Sequence, residues 1–116
     1  MRRVALTVSA LLTVLSLQGC SEEPAQPQSR DTTSAEITIE NGEASPVERV
    51  RVDVGEPVEL VVKADEPGSL HVHASSEQEL DYTAGTTTLT LTIDEPGVVD
   101  VESHELGALV LQLEVG

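Results

Sequence analysis

The stretch LTLTIDEPGVVDVE, from Leu89 to Glu102, contains the two signals from which the fold of this chain is predicted. Its first half alternates aliphatic residues with threonines as far as Ile93, as expected of a β-strand that buries one face. After the turn residues Asp-Glu-Pro-Gly, Val99 and Val101 alternate with acidic residues. The stretch therefore predicts two strands that are joined by a tight turn.

A near copy of this framework lies earlier in the chain, where ADEPGSLHVHAS at Ala64–Ser75 matches IDEPGVVDVESH at Ile93–His104. Either an ancestral hairpin was duplicated, or Pro, which fixes φ, and Gly, which allows positive φ, make a good turn twice. The polar positions differ, because the first copy has two histidines where the second has two carboxylates. We expect the two turns to join the strand pairs 58–63 with 69–74 and 88–93 with 98–103.

Alternation of period two recurs along the chain from Ile37 onward, and each run ends at Gly, Pro, Asn or Asp. No segment shows sustained helical spacing, and Ser75 to Tyr82 is the best candidate for a helical turn. Six to eight short strands predict an all-β fold, an antiparallel Greek-key β-sandwich. The other predicted inward residues are Ile39, Val50, Val52, Val54, Val58, Leu60, Val62, Leu70, Val72, Leu109, Leu111, Leu113 and Val115.

Residues 1–20 have the features of an export signal, with Arg2 and Arg3 before an apolar run from Val4 to Leu17. The run is too short for a membrane-spanning helix with its own flanks. It ends in LQGC, which resembles the lipobox of bacterial lipoproteins, whose cysteine is acylated after cleavage. The resemblance implies a lipid such as palmitate on Cys20 and localisation at the cell membrane, on its extracytoplasmic face. Plain secretion and an uncleaved anchor are the alternatives.

Two further segments follow the predicted signal peptide. Residues 21–34 lack apolar periodicity and are rich in Pro, Ser, Gln and acidic residues, which predicts a disordered tether. Residues 35–116 form the predicted β-sandwich domain, which is near the lower size limit for a core without disulfides or metal. Cys20 is the only cysteine, so no internal disulfide is possible. With no Phe or Trp and one Tyr, Tyr82, the core must be aliphatic.

The charge balance is strongly acidic, with 21 acidic against 6 basic residues and a formal net charge of −15. It becomes more negative when Arg2 and Arg3 are removed with the signal peptide. Such a chain repels nucleic acid and anionic lipid headgroups, so no nucleic-acid partner is expected. Membrane attachment should come from the lipid at Cys20, whereas metal ions and basic proteins remain compatible with the surface.

The three histidines suggest a metal site. On a strand, His71 and His73 point to the same side about 7 Å apart, close enough for both imidazoles to reach one ion. Pairing of strand 69–74 with strand 98–103 would bring Asp100, Glu102 or His104 beside them. Imidazole and carboxylate ligands suit Cu(II), Zn(II), Ni(II) or Fe better than Cu(I), which prefers sulfur.

A solvated surface is the alternative interpretation of the same residues. His71, His73, Asp100, Glu102 and His104 all alternate out of phase with the predicted core, which places them on an outer face. Exposed histidines among carboxylates also form ordinary surface pairs, each of which contributes little to stability.

Five segments in order resemble a known family: VDVGEPVELVV at 52–62, HVH at 71–73, YTAGTTTLTLT at 82–92, EPGVVDVESHELG at 95–107 and LVLQLEV at 109–115. They are similar to the small cupredoxin-like lipoproteins of high-GC Gram-positive bacteria, relatives of the cupredoxin domain of EfeO-type iron-uptake proteins. The resemblance implies a cupredoxin-like fold. In blue-copper members, one His comes from the HVH region, and a Cys, a second His and usually a Met come from the loop between the last two strands.

The match to that ligand set is partial. His71 or His73 would correspond to the first ligand, and His104 lies in the ligand loop, but neither Cys nor Met occurs after Cys20. Because blue copper requires the thiolate, blue-copper electron transfer is excluded. A divalent transition metal such as Cu(II), Zn(II) or Fe, held by His71 and His73 with His104 or Glu102, remains possible.

These observations lead to two functional hypotheses. The first is a cell-surface lipoprotein that binds a divalent transition metal or assists metal uptake. The second is a metal-free adaptor domain that presents an acidic sheet to an envelope protein partner. Enzymatic activity is not expected, because the sequence has no Gly-x-Ser-x-Gly motif, no cysteine nucleophile in the domain and no phosphate-binding loop.

Overall fold

The computed structural model describes residues 32–116 and is built from strands. The predicted signal peptide with Cys20, and the predicted tether up to residue 31, lie outside the described residues. No helix in residues 32–116 is long and apolar enough to cross a membrane. The nine strands are β1 (Thr33–Glu40), β2 (Glu43–Ala44), β3 (Glu48–Val52), β4 (Pro57–Ala64), β5 (Gly68–His73), β6 (Gln78–Tyr82), β7 (Gly85–Thr92), β8 (Gly97–Ser103) and β9 (Ala108–Val115).

The strands form two sheets, with the orders β2-β1-β4-β7 and β3-β9-β8-β5-β6. This confirms the predicted β-sandwich. Two pairings differ from the antiparallel expectation, because β1 pairs with β4 and β3 pairs with β9 in parallel. Two parallel neighbouring strands must be joined by a crossover connection. Between β1 and β4, and again between β3 and β9, the chain makes this crossover by contributing strands to the opposite sheet.

The core between the sheets is aliphatic, as predicted, and Tyr82 is buried in it at 4% exposure. Four predicted core positions are less buried: Val50, Leu89 and Leu109 are half-buried, and Val54, beyond the end of β3, is 41% exposed. The buried hydrophobic residues are Ala35, Ile37, Ile39, Val52, Val58, Leu60, Val62, Ala64, Leu70, Val72, Tyr82, Leu91, Ile93, Val99, Val101, Val110, Leu111, Leu113 and Val115.

A β-bulge in β9 interrupts the predicted alternation. Val101 pairs with Leu111 while Glu102 pairs with Leu109, so Val110 is the extra residue. A bulge turns two successive side chains toward the same face. Val110 and Leu111 are accordingly both buried, at 1% and 0% exposure, and Leu109 lies at the margin of the core.

The two Asp-Glu-Pro-Gly turns do not form the predicted hairpins. Each turn carries the chain from one sheet to the other, from β4 to β5 and from β7 to β8. Pairing instead occurs between the two copies, β4 with β7 and β5 with β8. Equivalent residues face each other in both sheets, Leu60 with Leu89 and Val72 with Val101. The repeat is therefore an approximate two-fold relation across the sandwich.

The expected helical turn within Ser75 to Tyr82 is wrong, because its second half is the edge strand β6, which pairs with β5. Leu80 and Tyr82 alternate with the exposed Glu79 and Asp81, so the local period is two. Tertiary pairing decides the conformation of this short segment.

Candidate functional site

Because of the two-fold relation, the two histidines of one copy lie opposite the two carboxylates of the other copy. In the antiparallel β5–β8 pair, His71 lies opposite Glu102 and His73 lies opposite Asp100. Both imidazoles are on the outer face, with side chains 40% and 42% exposed. The predicted strand pairing and the predicted outward orientation are thus confirmed.

His71 contacts a histidine from a different element. Its ring stacks on that of His104, in the loop between β8 and β9, with centroids 5.1 Å apart and planes 20° apart. The His104 N–H donates to the Ser69 carbonyl over 3.0 Å, which places the loop beside the first residues of β5. Nε2 of His71 also lies 3.3 Å from Oε2 of Glu79 on β6. His71 therefore has one imidazole and one carboxylate as neighbours.

His73 belongs to a second group of side chains. Its Nε2 lies 3.2 Å from Oε2 of Glu102, and its Nδ1 lies 3.8 Å from Oε1 of Glu77. The His71 and His73 rings are 6.4 Å apart and tilted by 49°. Asp100 accepts a 2.8 Å hydrogen bond from Nε2 of Gln112, which orients its carboxylate toward β9.

We call His71, His73, His104, Glu77, Glu79, Asp100 and Glu102 together the histidine face. It contains no Lys or Arg, and the three basic side chains of residues 32–116 pair with carboxylates outside this set. Lys63 lies 2.9 Å from Glu36 on the other sheet, and Arg49 and Arg51 both contact Glu114. The histidine face therefore favours cations over anions.

The structure also reveals a polar cluster that the sequence did not predict, centred on Glu105 in the loop after His104. Its two carboxylate oxygens accept the Ser69 N–H over 3.2 and 3.1 Å, and the Tyr82 hydroxyl donates to Oε2 over 3.3 Å. Partial burial opposes ionisation of this carboxyl, but the hydrogen bonds outweigh it and hold the pKa of Glu105 below its ordinary value. The carboxylate thus ties the loop to β5 and β6.

Tyr82 and Gly68 complete this cluster. Burial, followed by the negative charge of Glu105, raises the pKa of the Tyr82 hydroxyl, which keeps it a donor. A Cβ on Gly68 would lie 2.4 Å from both Oε2 of Glu105 and the Tyr82 hydroxyl oxygen, so glycine is needed there for space. The equivalent Gly97 has φ +145° and open surroundings, which is the conformational role expected of a turn glycine. A lone tyrosine in an aliphatic core signals a polar partner, although not which one.

The donor set does not fit a blue-copper centre. Residues 32–116 contain neither Cys nor Met, so no thiolate or thioether is available near the loop between β8 and β9. Within the same residues, no group of three or more His, Cys, Asp or Glu side chains is already arranged to hold a metal ion. The histidine face instead offers imidazoles and carboxylates in neighbouring groups, with Cys20 outside the described residues.

Comparison with known proteins identifies the fold. No protein-family model and no curated protein sequence matches the chain. A purple cupredoxin from Nitrosopumilus maritimus has TM-score 0.54 at 16% identity, over 71% of this chain and 99% of that one. The reduced Cu(I) form of an amicyanin mutant has TM-score 0.56 at 14% identity, over 74% and 83%. A multi-copper oxidase from Pediococcus acidilactici has TM-score 0.56 at 12% identity, over 90% of this chain but 30% of that one. The described domain has a cupredoxin-like fold.

Proposed function

We propose that this protein is a lipid-anchored, extracytoplasmic protein that binds a divalent transition metal on its histidine face and serves metal capture or uptake without catalysis. The observation that carries the proposal is the 5.1 Å contact between the rings of His71 and His104, with a carboxylate of Glu79 beside His71. The cupredoxin-like fold is compatible with a copper-related function, but residues 32–116 contain no Cys or Met to supply the sulfur ligands of a blue-copper centre.

Ring spacing favours His71 and His104 as the primary pair of ligands. With metal–nitrogen bonds of about 2 Å, two imidazoles on one ion have ring centroids roughly 4.5 to 6.5 Å apart, and about 5 Å at a tetrahedral angle. The 5.1 Å between His71 and His104 is near the tetrahedral value, whereas the 6.4 Å between His71 and His73 is near the limit. The sequence favoured His71 with His73, and the distances favour His71 with His104.

Binding requires the exposed rings to rotate so that one nitrogen of each faces the ion. Both rings lie at the surface, so their rotation disturbs none of the core. Oε2 of Glu79 on β6 lies 3.3 Å from Nε2 of His71, and Glu102 lies opposite His71 on the other neighbouring strand, β8. Two nitrogens and one oxygen suit Zn(II), Cu(II) or Fe, and open positions remain for water or for transfer of the ion.

The direction of the strands supports a role away from the membrane. Thr33 pairs with Val58 at the start of β4, whereas Ile39 pairs with Ala64 at its end, next to the turn that leads to Gly68. The His104 loop binds Ser69 at that second end. A lipid at Cys20 would therefore attach the domain at the end opposite to the His104 loop, leaving His71 and His104 open to solvent.

Titration calorimetry of residues 21–116 with Zn(II) and Cu(II) tests this proposal. This segment contains the whole described core, which extends from Ala35 to Val115. We expect one site with moderate affinity, because the imidazoles are exposed and their rings are not rigidly fixed. His71→Ala and His104→Ala should each weaken binding at least tenfold, and His73→Ala should do so less. Glu59→Ala, on the outer face of the other sheet, is the charge-matched control. Equal uptake by His71→Ala/His104→Ala and wild type would refute the proposal.

A metal-free interaction domain is the second candidate. Its supporting observation is that Lys63, Arg49 and Arg51 all pair with carboxylates, while the histidine face keeps a surplus of acid. Such a surface suits a basic envelope partner. In that case, capture of the partner should weaken with rising salt and survive replacement of all three histidines by Gln.

A further inference from the structure

We infer that Glu105 is a positioning residue that holds His104 over His71. The inference rests on the proposed function, because it assigns to Glu105 the task of assembling the two primary ligands of the metal site. Glu105 does not lie against the ring of His71 and is not itself proposed as a ligand. Its contacts are with Ser69 and Tyr82.

Ser69 holds the loop through both of its backbone groups. Its N–H donates to the Glu105 carboxylate, and its carbonyl accepts the N–H of His104. Ser69 precedes His71 by two residues on β5, so the position of the loop relative to Ser69 fixes the position of His104 relative to His71. Two adjacent loop residues thus attach to one residue of the strand that carries the other ligand.

Tyr82 makes this attachment rigid. Its ring is 4% exposed, and its hydroxyl donates to Oε2 of Glu105 from the end of the neighbouring strand β6. The opposite side of the loop is closed by its own hydrogen bonds, Leu106 N–H to Ser103 Oγ at 3.2 Å and Gly107 N–H to the Ser103 carbonyl at 2.9 Å. Ser103 is 1% exposed, so the base of the loop is fixed in the core.

Hydrogen bonds from Ser69 and Tyr82 to Glu105 hold the loop in place. Gly68 provides the space that this carboxylate needs, since a Cβ there would lie 2.4 Å from Oε2. Substitution of a residue that hydrogen-bonds to a metal ligand or orients it commonly weakens metal affinity by about 10- to 100-fold. We expect a loss of metal affinity in the same range when Glu105 is replaced by Ala.

The test compares three variants of residues 21–116. Glu105→Ala removes the acceptor, Glu105→Gln keeps a carbonyl oxygen that accepts both hydrogen bonds, and Glu59→Ala makes the same charge change on the other sheet. We expect Glu105→Ala to weaken Zn(II) binding at least tenfold, Glu105→Gln by less than threefold and Glu59→Ala not at all. Unchanged Zn(II) affinity in a folded Glu105→Ala variant would overturn the inference.

A second readout does not depend on metal. Nuclear Overhauser effects between ring protons of His71 and His104 should be present in the wild type and in Glu105→Gln, and absent in Glu105→Ala. Their persistence in Glu105→Ala would overturn the inference even if Zn(II) binds. If the wild type binds no Zn(II), the proposed function fails, and these effects alone decide the role of Glu105. If Glu105→Ala does not fold, Tyr82→Phe, which removes one donor, should weaken the same effects.

Discussion

At Gly68, the absence of a side chain leaves room for the Glu105 carboxylate and the Tyr82 hydroxyl. Gly68→Ala should therefore lower the free energy of unfolding by about 1–2 kcal/mol, because the added methyl group displaces the carboxylate from its donors. Urea denaturation measures the change. In a Glu105→Ala background, Gly68→Ala should lower the free energy of unfolding by less, because the Glu105 carboxylate that the methyl group would displace is already absent. Additive costs in the two backgrounds would show that Gly68 and Glu105 do not interact.

Glu105 also gives the fold a predictable dependence on pH. Its pKa in the folded state is lowered, despite partial burial, by the hydrogen bonds from Ser69 and Tyr82. A group with a lowered folded pKa stabilises the fold at pH values above the ordinary glutamate range, and this contribution is lost as pH falls through the folded pKa. Wild type should therefore be more stable than Glu105→Gln at pH 7, and the difference should shrink toward pH 3.

Urea denaturation of both proteins at pH 7 and pH 3 measures this difference. Glu59→Gln serves as the control for the general relief of repulsion among carboxylates in acid. A gap between wild type and Glu105→Gln that stays constant from pH 7 to pH 3 would contradict the hydrogen-bonded carboxylate described above.

Among the strands, the bulge in β9 has the clearest energetic consequence. Val110 is 1% exposed, whereas Val98 on the adjacent strand is 61% exposed. Val110→Ala should cost about 2 kcal/mol of unfolding free energy, because it removes buried methyl groups and leaves a cavity. Val98→Ala makes the same chemical change at the surface and should cost less than about 0.5 kcal/mol. Similar values for the two variants in thermal or urea unfolding would argue against the bulge.

The strands and turns show which features of the fold can be predicted from sequence patterns and which cannot. Period-two alternation identified β1, β4, β5, β7, β8 and β9, because a half-buried strand must alternate, but it missed the edge strand β6. It did not reveal the bulge at Val110, since a bulge changes the phase without changing residue type. Nor did it show that the Asp-Glu-Pro-Gly turns connect different sheets. A tight turn fits a hairpin and a crossing between sheets equally well, and only packing decides between them.

For the candidate site, the sequence predicted from strand pairing that Asp100 or Glu102 would lie beside His71 and His73, and the structure supplies the register, His71 opposite Glu102 and His73 opposite Asp100. It did not predict that His104 would stack on His71, because a loop conformation depends on hydrogen bonds to distant residues such as Ser69. The role of Glu105 was hidden for the same reason. Its partners Ser69 and Tyr82 are far away in sequence, and nothing distinguishes it locally among the many glutamates.

In the whole molecule, an aliphatic sandwich supports a surface on which carboxylates greatly outnumber cations, and the formal net charge of the chain is −15. Lys63 pairs with Glu36 on the other sheet, whereas Arg49 and Arg51 pair with Glu114 at the β3 edge of the larger sheet, on the same outer side as the histidines. That distribution leaves one end of the larger sheet with imidazoles among acidic side chains. Thr33 at the start of β1 lies at the end of the sandwich opposite to the His104 loop.

The most direct test of the central claim is an NMR titration of residues 21–116 with Zn(II) that follows the imidazole nitrogens of all three histidines. We expect the first equivalent of Zn(II) to shift one ring nitrogen of His71 and one of His104 together, with a smaller change at His73. Shifts confined to His73, or no shift of any imidazole nitrogen at one equivalent, would contradict a metal site built on His71 and His104.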